Sequence, residues 1–452
     1  MFKIKIQSLL SILVSKFIMK LSKFLFKGGT NFPGKIALKL DKDILKTIAA
    51  NYEVILITGT NGKTTTTSMI YSIIKESNKQ VITNNTGANM YTGIVACFIS
   101  NYSFKKSKEE KIAVIEVDEA NVKFITEYIS PSIITITNLF RDQLDRYGEV
   151  YTTLKKILEG IEKTPNSTLI LNGDESLFGN LNLKNPIVYY GFGTKINENK
   201  TVDTNADAKF CTVCKAPYEY NFITYNHLGD FYCSKCSYKR PSLNYHVDEI
   251  VDLNPNGSTV YINNKQYYIN QPGTYNIYNA LCAYSVAKEL HVQDNIIEHC
   301  LKTVASSFGR QETLSIDGME VKIVLVKNPA GYDEAVNTIK LDTRKINLSL
   351  LLNDNYADGK DVSWIWDVNF EALTSLNINK VMISGIRLYD MAIRLKVAGF
   401  DPSSFLLCAE EEALLKEIKA CDGDVVYVLA TYTAMINLRK FLHAKGYIDK
   451  IW

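Results

Sequence analysis

From residue 54 onward the chain alternates between short, almost wholly apolar runs and longer segments whose apolar residues recur at helical spacing. The runs at 54–58 (VILIT), 111–120 (KIAVIEVDEA), 131–140 (PSIITITNLF) and 167–175 (STLILNGDE) read as strands. The segment TSMIYSIIKE after the first of them reads as a helix. A strand that is apolar on both faces needs cover on both faces, so the alternation predicts a parallel sheet between layers of helices. Ligands of such sheets bind beyond the carboxyl ends of the strands.

The pattern breaks at 195–245, where Asn, Lys, aromatic residues and four cysteines replace it, and an inserted module is the simplest account. Strand-like pairs return at 258–269 (STVYINNKQYYI), followed by a helical NIYNALCAYSVAKEL at 276–290. A second strand–helix series follows with 321–327, 346–354, 380–385 and 424–431 as its strands. At 452 residues, two or three domains are expected. The divisions predicted are an N-terminal basic amphipathic segment (1–50), a central α/β domain (51–308) carrying the insert at about 205–240, and a C-terminal Rossmann-like α/β domain (309–452).

Composition adds little for most of the chain: 46% apolar and 22% charged residues describe a globular protein, and a net charge of +3 does not argue for nucleic acid. The distribution of charge says more. Residues 1–50 hold ten lysines against Asp41 and Asp43, a net +8 that leaves the rest at −5, and this points the N-terminus towards an anionic surface. Its apolar run is too short to span a bilayer, lysines recur through it, and no small-residue cleavage site follows. Leu9, Leu13, Phe17, Leu21 and Phe24 share one helical face, and Lys16, Lys20, Lys23 and Lys27 another. Such a helix either lies on an anionic membrane or packs on its own domain.

Nine cysteines without a secreted-type framework point to a reducing, cytoplasmic compartment. Cys211-x2-Cys214 and Cys233-x2-Cys236, separated by 18 residues, have the spacing of a four-thiolate Zn²⁺ site. Four sulfurs leave no open coordination position, so that zinc is structural. The ribbon's aromatic residues invite nucleic acid as a rival ligand, but few Lys or Arg accompany them, so rigidification or partner docking ranks above it. His227, His246, His291, His299 and His443 form no cluster in the sequence.

The chemistry concentrates at ILITGTNGKTTTT, residues 55–67. A glycine turn between strand and helix aims backbone N–H groups and the positive helix end at phosphate oxygens. Gly59 and Gly62 allow close approach, Lys63 supplies a point charge, and the Thr64 hydroxyl can ligate Mg²⁺. The gap between the two glycines is two residues rather than the four of the common loop. Glu116, Asp118 and Glu119 end the next buried strand; Mg²⁺ prefers one or two carboxylates with phosphate oxygens, and Glu116, which points the opposite way from its neighbours on the strand, is the metal candidate. The loop at 138–149 (NLFRDQLDRYGE) is dense in charge but weak on its own. The loop at 351–371, with two of the three tryptophans and Asp354, Asp358, Asp361 and Asp367, is either a packed corner or a working surface.

The segment Thr58-Gly59-Thr60-Asn61-Gly62-Lys63-Thr64-Thr65 resembles the signature of the Mur ligase family, ATP-dependent amide-forming enzymes related to folylpolyglutamate synthases. GTYNIYNALCA (273–283) resembles that family's asparagine segment and implies Asn276 and Asn279 near the nucleotide base. FGRQE (308–312) resembles its hinge and implies Arg310 on the phosphates. By this resemblance ATP is held by Gly59, Thr60, Asn61, Gly62, Lys63, Thr64, Thr65, Asn276, Asn279 and Arg310, and Mg²⁺ by Thr64, Glu116 and Gln143. Gln143 stands where the family's usual motif has a metal-binding histidine, a neutral oxygen ligand at best.

The departures narrow the resemblance. Fewer than 60 residues precede the glycine loop, against a UDP-binding domain in the usual Mur ligase, and a four-cysteine ribbon is inserted. With KNPAGYDEA (327–335), DGKDVSWIWD (358–367), SGIRLYDMAIRLKVAG (384–399) and ATYTAM (430–435), the chain is similar to the ligase-type subunit of lipid II isoglutaminyl synthase. That likeness implies amidation of the α-carboxylate of D-glutamate in the lipid II stem peptide through an acyl phosphate, with Lys63 and Glu116 in catalysis. The ammonia comes from glutamine, and a glutaminase needs an activated cysteine; none of Cys97, Cys282, Cys300, Cys408 or Cys421 lies in a Gly-x-Cys-x-Gly turn. The partner implied is a GatD-type glutaminase forming a heterodimer, with Asp361 completing its Cys-His pair. A lipid-linked substrate gives the basic N-terminal helix a reason to touch the inner face of the membrane. Other readings are an amino-acid ligase of the Mur or folylpolyglutamate type acting alone, and a nucleotide-switched scaffold with a docking ribbon.

Overall fold

The computed structural model describes residues 5–26, 31–84, 88–104, 110–141, 150–198, 200–201, 207–304 and 310–449, with backbone alone for 23–26 and 310. Gln143 and Lys27 lie outside the described residues, as do the side chains of Lys23, Phe24 and Arg310.

The first sheet contains β1 (Tyr52–Thr58), β2 (Gln80–Thr83), β3 (Lys111–Glu116), β4 (Ile133–Ile136), β5 (Thr168–Asn172), β6 (Ile187–Phe192), β9 (Tyr245–Asn254), β10 (Gly257–Ile262) and β11 (Lys265–Ile269). Its strand order is β11-β10-β9-β6-β5-β4-β1-β3-β2. Alternate residues of β1 enter two cores: Ile55 and Ile57 join Met69, Ile73 and Leu281, while Val54 and Leu56 join Ile94, Phe98 and Ile136. Both faces are therefore covered, as the apolar runs require.

The strands at 54–58, 111–120, 131–140 and 167–175 pair in parallel as expected, and the sheet turns antiparallel only at its β9 edge, where β10 and β11 fold back as hairpins. One expectation is corrected: the apolar runs at 111–120 and 131–140 yield strands shorter than their length. After β3 the Asp118 carboxylate accepts the Ala120 N–H and opens a turn at Glu119–Asn121. After β4 the side chains of Thr137 and Asn138 leave the ladder to bond the glycine loop.

A second sheet holds β12 (Arg310–Ile316), β13 (Met319–Leu325), β14 (Ile346–Leu351), β15 (Ile378–Ser384), β16 (Phe405–Cys408) and β17 (Val425–Ala430), in the order β12-β13-β17-β14-β15-β16. All its pairings are parallel except β12 with β13. Val425, Tyr427 and Leu429 face one core, Val426, Val428 and Ala430 the other.

The insert forms the hairpin of β7 (Glu219–Tyr225) and β8 (Leu228–Tyr232), lying between β6 and β9 in sequence. It is tied to the first sheet by buried polar contacts. Tyr278 Oη donates to Asp174 Oδ2 at 2.6 Å and lies 2.6 Å from Thr224 Oγ1, and Arg240 Nη1 donates to Asp174 Oδ1 at 2.8 Å. His227 at the hairpin turn sits 2.9 Å from Glu175 Oε2, both fully buried. His227 is thus structural, and burial, then offset by the Glu175 carboxylate, leaves its pKa raised.

Candidate active site

The carboxyl end of β1 delivers the glycine turn. Gly59 and Gly62 take φ of 124° and 83°, values that L side chains rarely adopt. Space forbids them as well: a Cβ on Gly62 would sit 2.1 Å from Asn279 Oδ1, and one on Gly59 2.3 Å from Thr137 Oγ1. The turn is sewn to the segment after β4. Thr60 N donates to Asn138 O and Asn61 N to Asn138 Oδ1, both at 2.9 Å, and Thr137 Oγ1 donates to Asn61 O at 2.7 Å. The loop at 138–149, weak as a motif, therefore supplies the splint for the phosphate turn through its first residue.

Helix Lys63–Glu76 begins directly at Gly62 and has no side-chain cap. Its leading N–H groups and its positive dipole end face outwards from the turn, which is the donor set of an anion site. Lys63 folds back over the turn, donating to Gly59 O at 2.5 Å and reaching Glu119 Oε1 at 2.7 Å. Burial alone would lower the Lys63 pKa; Glu119, with Glu116 and Asp118 behind it, offsets this and the pKa is raised. Lys63 is therefore a cation.

Of the three strand-end carboxylates, Glu119 and not the metal candidate Glu116 pairs with Lys63. Only the turn at Glu119–Asn121 swings Glu119 against the lysine. Glu116 is buried on the same strand end, its Oε1 accepting from Asn89 Nδ2 at 3.0 Å. Thr64 is half-buried in the first helical turn.

The second sheet closes over this turn. Asn61 Nδ2 donates to Asn328 Oδ1 at 3.4 Å, and Asn328 Nδ2 returns to Asn61 Oδ1 at 3.1 Å. The same Asn328 caps helix Pro329–Ile339 by accepting the Gly331 N–H at 2.8 Å. Asn276 and Asn279 come from helix Thr274–Glu289, joined by an Asn279 Nδ2 to Asn276 Oδ1 bond of 3.0 Å, with Thr66 Oγ1 donating to Asn279 at 3.3 Å. Asn61, Asn276, Asn279 and Asn328, with Thr65, Lys327 and Glu334, line a cavity of about 80 Å³ between the two sheets. Arg310 opens β12, where its backbone pairs with Val324, itself on the cavity wall.

The four ribbon cysteines bring their Sγ atoms within 4.8 Å of one another, with Cys211–Cys236 at 3.6 Å and Cys214–Cys233 at 3.4 Å. A tetrahedral ion with metal–sulfur bonds of about 2.3 Å holds its sulfurs about 3.8 Å apart, so the set fits a metal. Asp361 is far less constrained. It is exposed, and its Oδ1 accepts a local bond from Ser363 N at 2.8 Å.

Residues 57–287 match the Mur ligase middle domain and residues 325–435 the MurT ligase C-terminal domain. The lipid II isoglutaminyl synthase (glutamine-hydrolyzing) subunit MurT of Streptococcus pneumoniae is 43% identical over 93% of this chain and 94% of its own length. The chain belongs to the MurT family. Its counterpart from Staphylococcus aureus (strain COL) is 36% identical over 85% of this chain and 86% of its own. Among solved structures, the family's fold is shared with a pseudomurein peptide ligase type C from Methanothermus fervidus (TM-score 0.67, 20% identity, 89% and 81% covered). It is shared also with folylpolyglutamate synthase from Thermotoga maritima (TM-score 0.59, 12% identity, 97% and 99% covered). The Mur ligase fold expected from the glycine turn is therefore present, and the MurT-family chain is a ligase of the ATP-dependent kind. Among its described residues, no helix is long and apolar enough to cross a membrane.

Proposed function

We propose that this chain is the synthetase subunit that amidates the α-carboxylate of D-glutamate in the lipid II stem peptide, giving D-isoglutamine. The observation that carries this reading is the meeting of the phosphate turn with the MurT-type C-terminal segment through Asn61 and Asn328. A carboxylate seated in that cleft attacks the γ-phosphorus of ATP, ADP departs, and an acyl phosphate forms. Ammonia then attacks the acyl carbon, a proton is lost, and inorganic phosphate leaves. Lys63 and the uncapped helix end stabilise charge on the transferring phosphoryl group, with Arg310 as a further cation from the second sheet. Asn276 and Asn279 would flank the nucleotide base. Mg²⁺, which compensates phosphate charge when bound, would be held by Thr64 and Glu116, with Gln143 as the remaining candidate. The ribbon metal is zinc in this reading, and its role is structural.

The ammonia is released on another polypeptide, a GatD-type glutaminase. Burial supports this by raising every thiol outside the ribbon: Cys97 to about 12, Cys282, Cys300 and Cys408 to about 11, and Cys421 upward as well. None of these is a poised nucleophile. The surface beside Asp361 suits docking of the partner. Tyr356 and Trp366 are 76% and 50% exposed there, and helix Leu388–Val397 presents Tyr389, Ile393 and Val397 along one side. Asp361 would orient the partner's catalytic histidine. The reaction belongs in the cytoplasm, where the substrate's stem peptide is exposed.

The test is co-purification with a glutaminase followed by amidation of lipid II. Formation of amide from glutamine and ATP by the pair, and from ammonia and ATP by this chain alone, is the expected result. Addition of a free amino acid by the single chain would instead establish the solitary-ligase reading.

A further inference from the structure

The N-terminal helix Ile6–Phe26 sits on the protein the wrong way round for an ordinary terminal helix. Its inward face is largely serine: Ser8, Ser11 and Ser15 are buried beside Ile12. These contacts fix the roll of the helix, with Ser8 Oγ donating to Asp41 Oδ2 at 2.6 Å and Ser11 Oγ to Ala37 O at 3.0 Å. Gln7 Nε2 donates to Leu40 O at 2.6 Å and Lys16 Nζ to Tyr102 O at 2.5 Å, so four side chains hold one orientation.

The outward face is apolar. Ile6, Leu9, Leu10, Leu13, Phe17 and Leu21 are all exposed, Ile6 at 85% and Phe17 at 66%. At 3.6 residues per turn these six occupy an arc of about 120° that the serine contacts prevent from turning inward. Lys5 and Lys20, both exposed, fall along the Leu9 side of that arc, while Lys16 between them is tied to Tyr102 O. An apolar stripe bordered by lysines, within a segment of net charge +8, matches the interior and the headgroups of an anionic bilayer, respectively. A protein partner would need no lysine margin and no such excess of positive charge.

We propose that this helix lies in the plane of an anionic lipid surface, with its leucine and phenylalanine face in the acyl boundary and its lysines at the headgroups. The proposal stands on the helix itself. The amidation reading only adds a reason, since a lipid-linked substrate is reached from such a surface.

The test is sedimentation of the full chain, with its co-purified glutaminase, with vesicles of phosphatidylglycerol and phosphatidylcholine or of phosphatidylcholine alone. Binding to the anionic vesicles that weakens with salt is expected, and no binding to them overturns the proposal. The double variant L13S/F17S, altered only at exposed positions, should weaken partitioning at least about tenfold while its thermal melt is unchanged. Undiminished binding by that variant overturns the proposal too. Loss of self-association by the variant, without vesicle binding by the wild type, would assign the face to a second copy instead. Amidation of a water-soluble substrate analogue separates the two readings: it should survive L13S/F17S, and its absence in the wild type would count against the amidation reading alone.

Discussion

Lys63 and Glu119 hold each other at 2.7 Å beneath the phosphate turn, both buried, and burial raises the Glu119 pKa against the pull of Lys63 and, less strongly, of Lys327. Lys63, the proposed cation for the phosphates, is therefore stored as half of an ion pair, and the pair has a structural cost and a proposed chemical use that can be separated.

Lys63→Met should do two things at once. It leaves the Glu119 carboxylate buried without its partner, which destabilises a fold by about 3–5 kcal/mol, and it removes the charge that phosphoryl transfer needs. Adding Glu119→Leu removes the orphaned carboxylate, so the double variant should recover most of the stability while amidation stays at least about 100-fold down. Urea melts and amide formation measured on both variants decide this. A double variant as unstable as the single one would show that the pair is not the source of the loss.

Glu334 gives a pH dependence with a defined sign. It is buried on the cavity wall, and burial, partly opposed by the Asn337 amide and reinforced by Asp333, lifts its carboxyl from 4.5 to about 7. The folded state thus favours the protonated acid, and that stability is complete below pH 4.5 and lost as pH rises through about 7. The loss by pH 8 is on the order of 3 kcal/mol. Glu334→Gln should flatten the stability profile between pH 5 and 8 and lie above the wild type at the alkaline end. Superimposable profiles of the two proteins would remove Glu334 as the cause.

The contrast between Glu116 and Glu119 shows how far the residues alone reach. The strands, the double-faced sheet and the glycine turn follow from local pattern, because alternate burial and positive-φ glycines are properties of neighbouring residues. The same holds for the ribbon, whose two Cys-x2-Cys pairs carry their own geometry. What the pattern does not carry is the direction a chain takes after its strand ends. Asp118 caps a turn that moves Glu119 onto Lys63, and Asn138 leaves β4 to brace Asn61. The Asn61–Asn328 bridge spans 267 residues, and nothing local announces it. The inward serines of the N-terminal helix were equally hidden, because a basic amphipathic pattern is the same whichever face meets the protein.

The ribbon tests the link between metal and local order. Metal analysis should find one zinc per chain, and a strong chelator should remove it. Hydrogen exchange should then rise sharply through residues 211–240, where a small core of Tyr218, Tyr220, Ile223 and Phe231 surrounds the thiols. The tip of the hairpin should stay the more protected part, because Thr224 and His227 remain bonded to Tyr278 and Glu175. Unchanged exchange across the whole ribbon after metal loss would make the cysteines dispensable for its fold.

Asp361 offers the cleanest separation of the two halves of the proposed reaction. Its carboxyl is exposed and is held below the usual range by the Ser363 hydrogen bonds, so it is ionised at neutral pH without help from the rest of the chain. Gly359, at a φ of 88°, turns the loop that presents it. Asp361→Asn keeps the shape and one acceptor oxygen but loses the charge that steadies an imidazolium. Glutamine hydrolysis by the assembled pair should therefore fall at least about 100-fold, while complex formation and ammonia-driven amidation stay within about twofold, because neither uses that charge. Measuring both nitrogen sources on one preparation makes the result unambiguous. Full glutamine turnover by D361N would remove this residue from the partner's site, and a matching loss with free ammonia would place it in this chain's own chemistry instead.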